Sequence, residues 1–310
     1  MELPAGFPHP SQEECEAVAK GAAALPGDAT LLIDGLAYGA FPKELAEGIA
    51  QRIIALVHHP LAMEAGLTDD ERQYFATTEQ VALSLADHVI VTSATTRRTL
   101  INEFAVPDTS ITVAEPGTDP AQRATGTGTP MQLLCVGTIT PRKGYDILVE
   151  ALEPLKDLDW RLTIAGPDDR DAETTTALRS QINALGLHDR ITLSGVVVPA
   201  TLDRFYESAD IFVMPSLYEG YGMVLGEAMA RGLSIICTTG GAAAETVPEG
   251  AAVKIAPGNV DDLTRALRNL LTDRKQRIRL ADAAWEAGRK LPTWNETARR
   301  VAAVLMGLKA

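Results

Sequence analysis

Cysteine is scarce in this sequence. Its three cysteines, Cys15, Cys135 and Cys237, are odd in number and widely spaced, and the last two lie in apolar runs typical of buried strands. We therefore expect buried, reduced thiols rather than disulfide bonds. No cluster of histidine, cysteine and aspartate has the spacing of metal ligands, so no metal site is expected.

Long hydrophobic runs are missing as well. A membrane-spanning helix needs about 18 or more consecutive apolar residues, and the sequence has no such stretch. Residues 1–4 lack the basic start and apolar segment of a secretory signal. These absences predict a soluble, cytoplasmic protein. Its 310 residues, 46% of them hydrophobic, exceed what one core usually serves, so we expect two domains.

Positive charge is rare in the first part of the chain. Residues 1–121 contain 18 acidic residues and 6 basic ones, whereas the remainder contains 23 and 22. An acidic half repels nucleic acid and anionic lipid, so we expect neither nucleic-acid binding nor strong association with anionic membranes. The nearly neutral second half is better suited to an anionic ligand.

Short apolar runs alternate with helix-like segments in both halves. In the first half we expect strands at 30–33, 52–57, 88–91 and 111–113, and helices at 11–24, 41–51, 68–86 and 94–104. In the second half we expect strands at 131–136, 161–165, 191–193, 211–214, 234–237 and 252–255. This alternation predicts βαβ units, and therefore an α/β fold with two parallel, doubly wound sheets.

The domain boundaries follow from composition. Residues 121–130 are rich in glycine and threonine and have no periodicity, so they are predicted to be a linker. The expected domains are therefore 1–121 and 130–290. A last amphipathic helix, within 291–310, either caps the second domain or crosses back to the first.

The segment Pro215–Glu227 has the clearest chemical pattern. It follows an apolar run and contains Gly220 and Gly222 before a helix, as expected for a βα turn at the ligand-binding edge of a parallel sheet. The glycines and the helix start favour an anion, and the carboxylates of Glu219 and Glu227 can accept sugar hydroxyls. The pattern suits a nucleotide sugar. In the alternative interpretation, Glu219 caps the helix and Glu227 is simply solvated.

Arg142 and Lys143 follow the first strand of the second half, beside Gly144. Parallel-sheet geometry places this loop at the same edge as the turn at Gly220. A pyrophosphate bound between the two segments would meet two cations and several backbone donors. Alternatively, the basic pair is a solvated part of a surface loop.

His58 and His59 end a strand of the first half. Histidines at strand ends are most often structural hydrogen-bonding residues, and we expect this of one of the pair. The other is placed to touch a transferred sugar if the first half presents an acceptor. Weaker candidates at other strand ends, which we interpret as helix-cap or turn residues, are Asp34, Thr92, Ser93 and Glu115.

The chain resembles the retaining glycosyltransferases of the GT-B fold known as family 4, or glycosyl transferases group 1. The motifs that carry this resemblance are Glu219–Glu227, Val136–Gly144, Ala165–Pro167, Ala209–Ser216, and Gly240–Gly241 with Glu245. The resemblance covers most of residues 30–275. It implies two Rossmann-like domains facing across a cleft. It also implies metal-independent transfer of a sugar, with retention of configuration, from a nucleotide-diphosphate sugar to an unspecified acceptor, without a further cofactor.

The same resemblance implies roles for single residues. Glu219 would bind the donor sugar, Glu227 the ribose hydroxyls and Lys143 the pyrophosphate. His58 matches the family's cleft histidine better than His59 does, so the expected catalytic residues are His58, Glu219 and Lys143. Further contacts to the donor are expected from Gly137, Thr138, Arg142, Gly220, Tyr221, Gly222, Met223 and Val224.

Two departures from the family pattern affect these expectations. The family usually has Gly-Arg where this chain has Gly137-Thr138, and we expect Arg142 to supply the missing cation. The family also begins with a strand and a glycine-rich loop, where this sequence has a helix. Either the acceptor site is reduced, in which case weak activity is expected, or the numbered chain begins downstream of the natural start. Two rival interpretations remain: a noncatalytic nucleotide-sugar-binding protein, and a GT-B-fold epimerase or hydrolase that uses the same donor.

Overall fold

Two units, each built on its own parallel sheet, make up the structure. The computed structural model describes residues 2–64 and 66–307. The first unit comprises the chain up to Gly117 together with the chain from Thr293 onward, and the second unit is Thr118–Pro292.

Among the described residues, the first unit has five helices that precede its last strand, and one terminal helix. In chain order its elements are α1 (Gln12–Ala23), β1 (Thr30–Asp34), α2 (Gly35–Tyr38), α3 (Lys43–Gly48), β2 (Arg52–Val57), α4 (Asp69–Leu85), β3 (His88–Val91), α5 (Ala94–Phe104) and β4 (Ile111–Val113). The terminal helix is numbered below, after those of the second unit. Short 3-10 turns cover Leu61–Met63 and Asp108–Ser110.

The second unit continues the alternation. Its elements are β5 (Met131–Val136), α6 (Tyr145–Leu152), β6 (Trp160–Ala165), α7 (Ala172–Ala184), β7 (Ile191–Gly195), α8 (Pro199–Ser208), β8 (Ile211–Met214), α9 (Met223–Ala230), β9 (Ser234–Thr238), α10 (Ala243–Thr246), β10 (Ala252–Ile255), α11 (Val260–Thr272) and α12 (Arg274–Gly288). Helix α13 (Trp294–Leu305) then completes the first unit. All the strands expected from the sequence are present.

The sheet of the first unit has the order β1-β2-β3-β4, and its pairs are parallel. Alternate residues of the strands face opposite sides, so two hydrophobic clusters form. One face packs against residues of α4 and α5, such as Phe75 and Leu100. On the other face Ile54 and Ile90 pack with Val304 of α13. The strand order of this sheet runs without a reversal.

The sheet of the second unit has the order β10-β9-β8-β5-β6-β7. From β5 the chain moves outward through β6 and β7, returns to the opposite side of β5, and continues through β8, β9 and β10. This is the strand order of Rossmann-type sheets, with a topological switch point between β5 and β8. The loops that leave β5 and β8 therefore lie next to each other at the carboxyl edge of the sheet.

Local sequence signals explain where several helices begin. Ser11 and Glu14 form a capping box at the start of α1, and Thr68 and Glu71 form another at the start of α4. In each box the side chain at the cap accepts a backbone N–H, and the glutamate accepts the N–H of the cap residue, so two otherwise unpaired donors are satisfied. Both helices were expected, at 11–24 and 68–86.

The segment predicted as a linker belongs to the second unit, because its backbone is bonded there. The amide of Ala124 donates to the carbonyl of Arg231, and the amide of Gly126 donates to that of Glu207. The division between the units falls earlier, after Gly117. The sequence also gave no sign of α2, whose four residues are too few for a periodic pattern.

The terminal helix α13 belongs to the first unit. Helix α13 makes apolar contacts with the sheet, and its Thr297 Oγ1 donates to the carbonyl of Glu115 at 2.6 Å. The guanidinium of Arg52 donates to the carbonyls of Val304 and Leu305 at 3.3 Å each. Of the two placements considered from the sequence, the structure therefore has the helix in the first unit.

The thiols of the two strand cysteines are buried and free, as expected. Cys135 lies on β5 and Cys237 on β9. Burial raises the pKa of Cys237 to about 12, so its thiol stays protonated at physiological pH. Within the described residues no helix combines the length and the apolar character needed to cross a membrane.

Glu79 on α4 is a fully buried carboxyl group in the core of the first unit. The amide of Leu61 donates to its Oε2 at 2.8 Å, while Oε1 has no hydrogen-bond partner among the described groups. Burial raises the pKa of Glu79 from 4.5 to about 8, against the opposing effect of the backbone donors. The carboxyl is therefore mostly protonated at neutral pH.

We expect the first unit to lose stability between pH 4.5 and about 8, because in this range the unfolded chain releases a proton that folded Glu79 keeps. Glu79→Gln keeps the shape but cannot ionise, so it should be more stable than wild type by about 3 kcal/mol at pH 8 and nearly equal at pH 5. Calorimetric melting at both pH values measures this. The control is Glu47→Gln, at an exposed position of α3, and a pH-independent difference for Glu79→Gln would contradict the prediction.

Candidate functional site

The candidate site lies at the switch point of the second unit, where the loop after β5 contacts the loop after β8. The amide of Leu217 donates to the carbonyl of Arg142 at 2.8 Å and joins the two loops. Gly144 has a positive φ of 63°, and a side chain there would approach the carbonyl oxygen of Pro215 to 2.6 Å. A glycine is therefore needed where the two loops meet.

A cluster of charged side chains occupies this contact. Lys143 Nζ lies 2.6 Å from Glu219 Oε1, and Arg142 Nη1 lies 3.3 Å from Glu219 Oε2. Ser216 Oγ also donates to Glu219 Oε1 at 2.7 Å, and Arg142 donates to the carbonyl of Tyr218 at 2.7 Å. The sequence separates the cations from the carboxylate by more than 70 residues, and the strand order brings them together.

The carboxylate of Glu219 is charged although it is buried. Glu219 is 6% exposed, and burial by itself would raise the pKa of its carboxyl group. The charges of Lys143 and Arg142 outweigh burial, with help from the hydrogen bonds of Lys143 and Ser216, and the pKa is lowered. The interpretation of Glu219 as a helix cap is wrong, because α9 begins after Gly222 and the oxygens of Glu219 accept from side chains of other segments.

The loop after β9 supports Glu219 from the other side. The backbone of Glu219 pairs with Gly241 in a parallel bridge, and the amide of Ala242 donates to the carbonyl of Glu219 at 2.7 Å. Gly241 has a φ of 63°, and a side chain there would overlap with the carbonyl of Glu219. The loop after β9 therefore lies against the loop after β8.

The start of α9 offers backbone donors at this edge. Its N-cap, Gly222, has a φ of 83° and no side chain to bond the first amides. The first turn, which includes Met223 and Val224, carries no acidic residue. A helix start of this kind attracts anions through its amides and its dipole.

Glu227 lies one turn into α9 and is half-buried. Its Oε2 accepts a hydrogen bond of 2.7 Å from the hydroxyl of Tyr206, a fully buried residue of α8. Glu227 is therefore held by a neighbouring helix and is more than a solvated helix residue.

Gly137 and Thr138 directly follow β5. A side chain at Gly137 would lie 3.1 Å from Lys143 Cε, so the glycine lets the lysine pass close to the loop. The hydroxyl of Tyr145 donates to the carbonyl of Gly137 at 3.2 Å and ties the loop to α6. Thr138 supplies no cation, and Arg142 is the guanidinium that reaches Glu219.

His58 lies in the first unit, at the end of β2. Its Nε2 is 3.3 Å from Asp34 Oδ2, and both side chains are half-exposed. The hydrogen bond from His58, together with the amide of Leu36, holds the pKa of Asp34 below its usual value in spite of burial. Asp34 also caps α2 by accepting from the amide of Leu36, so its expected capping role is confirmed.

The other polar residues at strand ends in the first unit have structural partners. His59 Nε2 lies 2.6 Å from Glu64 Oε1 and its side chain is 17% exposed, as expected for the structural member of the histidine pair. Ser93 caps α5, and Thr92 Oγ1 donates to the carbonyl of His58 at 3.2 Å. These contacts fix the backbone from which the His58 ring projects.

Sequence reasoning missed three residues that the structure places beside the predicted ones. Ser216 had no assigned role but donates to Glu219. Tyr145 and Tyr206 are buried and donate to Gly137 and Glu227. No local pattern links Tyr206 to Glu227, 21 residues later. The contact of Ser216 had one local signal, because Ser216 lies three residues before the motif glutamate Glu219.

No group of three or more histidine, cysteine, aspartate or glutamate side chains within residues 2–64 and 66–307 is arranged to hold a metal ion. Independence from metal stays a prediction.

The two sheets and the switch-point site define a protein of the GT-B fold. Among solved structures, sucrose-phosphate synthase from Thermosynechococcus elongatus is similar with a TM-score of 0.81 and 22% identity, over 95% of this chain and 78% of that one. The HepE protein of Anabaena, in complex with UDP-glucose, is similar with a TM-score of 0.77 and 19% identity, over 95% and 82%. At these identities the likeness concerns the fold.

The chain belongs to the family Glycosyl transferases group 1, whose sequence model matches residues 120–287, more than half of the chain. Mannosylfructose-phosphate synthase of Agrobacterium fabrum is 30% identical over 56% of this chain and 40% of its own length. An MMP alpha-(1->4)-mannosyltransferase of Mycolicibacterium hassiacum is 26% identical over 97% of this chain and 75% of its own length. The D-inositol 3-phosphate glycosyltransferase of Corynebacterium glutamicum is 28% identical over 73% of this chain and 58% of its own length. The matches to the first and third of these relatives thus span less than two thirds of their length.

Proposed function

We propose that the protein is a glycosyltransferase that moves a sugar from a nucleotide-diphosphate sugar to an acceptor, and that it retains the anomeric configuration. The observation that carries the proposal is the buried cluster of Lys143, Arg142 and Glu219 at the switch point of a Rossmann-type sheet. Family membership and relatives named as glycosyltransferases support it.

The cluster suits the two parts of such a donor. Lys143 and Arg142 are cations held against Glu219, and α9 begins four residues after Glu219 without a side-chain cap. We therefore expect a diphosphate bound there to meet both charge and backbone donors. Glu219 is ionised and accepts hydrogen bonds, as a group that binds sugar hydroxyls must. When a diphosphate binds, the ammonium of Lys143 would turn from Glu219 toward the phosphate and free carboxylate lone pairs for the sugar.

The cluster also suits the chemistry of sugar transfer. As the bond between sugar and phosphate breaks, negative charge builds up on the leaving diphosphate, and a fixed ammonium and guanidinium stabilise that charge. In this proposal Arg142 replaces the cation that Thr138 does not supply. His58 stays the predicted catalytic residue of the first unit, and Asp34 orients its ring. A metal ion is not required, because the protein's own cations fill that role.

Thermal melting with a panel of ligands tests the proposal most directly. A ligand that binds only the folded protein at 100 times its Kd stabilises it by about 2.7 kcal/mol. We therefore expect at least one of UDP, GDP and ADP, and the corresponding nucleotide sugar, to raise the Tm in the presence of EDTA. No shift with any nucleotide would contradict the proposal.

Incubation of the stabilising donor with a panel of sugar, sugar-phosphate and lipid acceptors then tests the reaction. We expect a product whose anomeric configuration, read by NMR, equals that of the donor. Donor turnover without any acceptor would instead indicate an epimerase or hydrolase, and binding without turnover would indicate a noncatalytic protein.

A further inference from the structure

Tyr206 is buried at the centre of a small network between α8 and α9. The residue is 0% exposed, and its hydroxyl donates to Glu227 Oε2 at 2.7 Å. Burial, and then the proximity of Glu227, raises the pKa of Tyr206 well above its ordinary value. The phenol therefore stays protonated at physiological pH, and it donates to the carboxylate.

The position of this hydroxyl is fixed by the contacts of its ring. The ring stacks on Phe212 of β8, with centroids 5.9 Å apart. The guanidinium of Arg231 lies 4.4 Å from the ring centroid and is held by Asp203 at 2.6 Å. Arg231 also donates to the backbone carbonyl of Glu227 at 3.3 Å, so the network returns to the same residue.

The network engages only part of the carboxylate. No hydrogen bond to Oε1 of Glu227 occurs among the contacts of the described residues, and Oε1 is not among their buried unpaired atoms. A carboxylate has about four acceptor positions, and the phenol uses one. Two adjacent hydroxyls, as on a ribose, match what remains, because each oxygen can accept one of them.

We propose that Tyr206 is a positioning residue that fixes the Glu227 carboxylate for the ribose diol of the bound nucleotide. This inference rests on the proposed function and on the role that the family resemblance implies for Glu227, contact with the ribose hydroxyls. Because the phenol donates to one oxygen, rotation of the carboxylate is restricted before the nucleotide arrives. The side chain of Glu227 therefore loses less conformational entropy on binding.

The test compares nucleotides with and without the diol. UDP, GDP and ADP are paired with their 2′,3′-dideoxy analogues, and Kd is measured by calorimetry for wild type, Glu227→Ala and Tyr206→Phe. We expect Glu227→Ala to weaken binding of the best ribonucleotide by about 10- to 100-fold and Tyr206→Phe by about 3- to 10-fold. Neither variant should change the affinity for the dideoxy analogue.

A matched control separates this role from a general effect on packing. Tyr38 in the first unit is also 0% exposed, and its hydroxyl donates to the carbonyl of Ala82 at the same distance of 2.7 Å. Tyr38→Phe therefore removes an equivalent buried hydrogen bond, and it should leave every nucleotide Kd unchanged.

The outcomes distinguish the inference from the proposed function. If wild type binds none of UDP, GDP and ADP, both are wrong. If Glu227→Ala loses the preference for the diol but Tyr206→Phe binds like wild type, only the role of Tyr206 is wrong. If Tyr206→Phe weakens the ribonucleotide and the dideoxy analogue equally, Tyr206 is merely structural and the inference is overturned.

Discussion

Lys143→Ala should lower the affinity for a nucleoside diphosphate by about 10- to 100-fold, and sugar transfer by about 1,000-fold, the largest effect expected for a single residue here. The ammonium lies 2.6 Å from Glu219 Oε1 at the switch point, where the proposal places the diphosphate. The effect on transfer exceeds that on binding because charge on the leaving diphosphate is greatest in the transition state. Calorimetry with UDP and GDP measures the first quantity, and donor consumption with an active acceptor measures the second.

Lys254→Ala is the matched control for this experiment. The side chain of Lys254 is 14% exposed, close to the 12% of Lys143, and its Nζ lies 2.7 Å from Glu249 Oε1. Lys254 lies on β10 of the same unit, at its edge. The control should reproduce the loss of a partly buried ion pair without changing nucleotide affinity. Unchanged affinity in Lys143→Ala would contradict the phosphate assignment.

Glu219→Gln should separate the sugar contact from the phosphate contact. The amide keeps the size of the carboxylate but removes its charge, so sugar hydroxyls lose a strong acceptor, and we expect transfer to fall by about 100- to 1,000-fold. Affinity for the nucleoside diphosphate alone should stay equal or rise, because Lys143 and Arg142 no longer share their charge with Glu219. The readouts are Kd for UDP or GDP, Kd for the nucleotide sugar, and the transfer rate.

The same substitution should change stability in a ligand-dependent way. Removing one partner of a buried ion pair destabilises a protein by about 3–5 kcal/mol, because the other charge remains buried. A bound diphosphate would supply the missing negative charge, so its stabilising effect should be larger in Glu219→Gln than in wild type. Glu249→Gln, which removes the exposed partner of Lys254, is the control. Equal losses of affinity for diphosphate and nucleotide sugar in Glu219→Gln would contradict its role as a sugar ligand.

Much of the fold could be predicted because short, local sequence patterns specify its strands and helices. The runs Arg52–Val57 and Met131–Val136 show apolar residues bounded by turn residues, and the structure has strands there. Ser11 and Thr68 mark helix starts through capping boxes that involve only residues three positions apart. Where the pattern is short or absent, prediction failed, as for α2 and for the supposed linker, whose backbone finds partners in the second unit.

The candidate site was predictable as a set of residue types but not as a set of contacts. The spacing of Glu219 and Glu227 around a glycine turn marks a ligand loop, and Arg142 and Lys143 mark another. Nothing in the sequence says that Lys143 bonds Glu219 directly, or that Tyr206 holds Glu227. Such pairs are separated by tens of residues, and their distance depends on how strands are ordered.

By itself the sequence determined the alternation of strands and helices, the turn glycines and the acidic first half, because periodicity, backbone freedom and charge are properties of residues and their near neighbours. The tertiary structure decided which loops meet. Only the reversal of strand order between β5 and β8 brings the cations of one loop to the carboxylate of the other. Strand order depends on how the apolar strands and helices of the whole unit pack together, so no short stretch of sequence encodes that reversal.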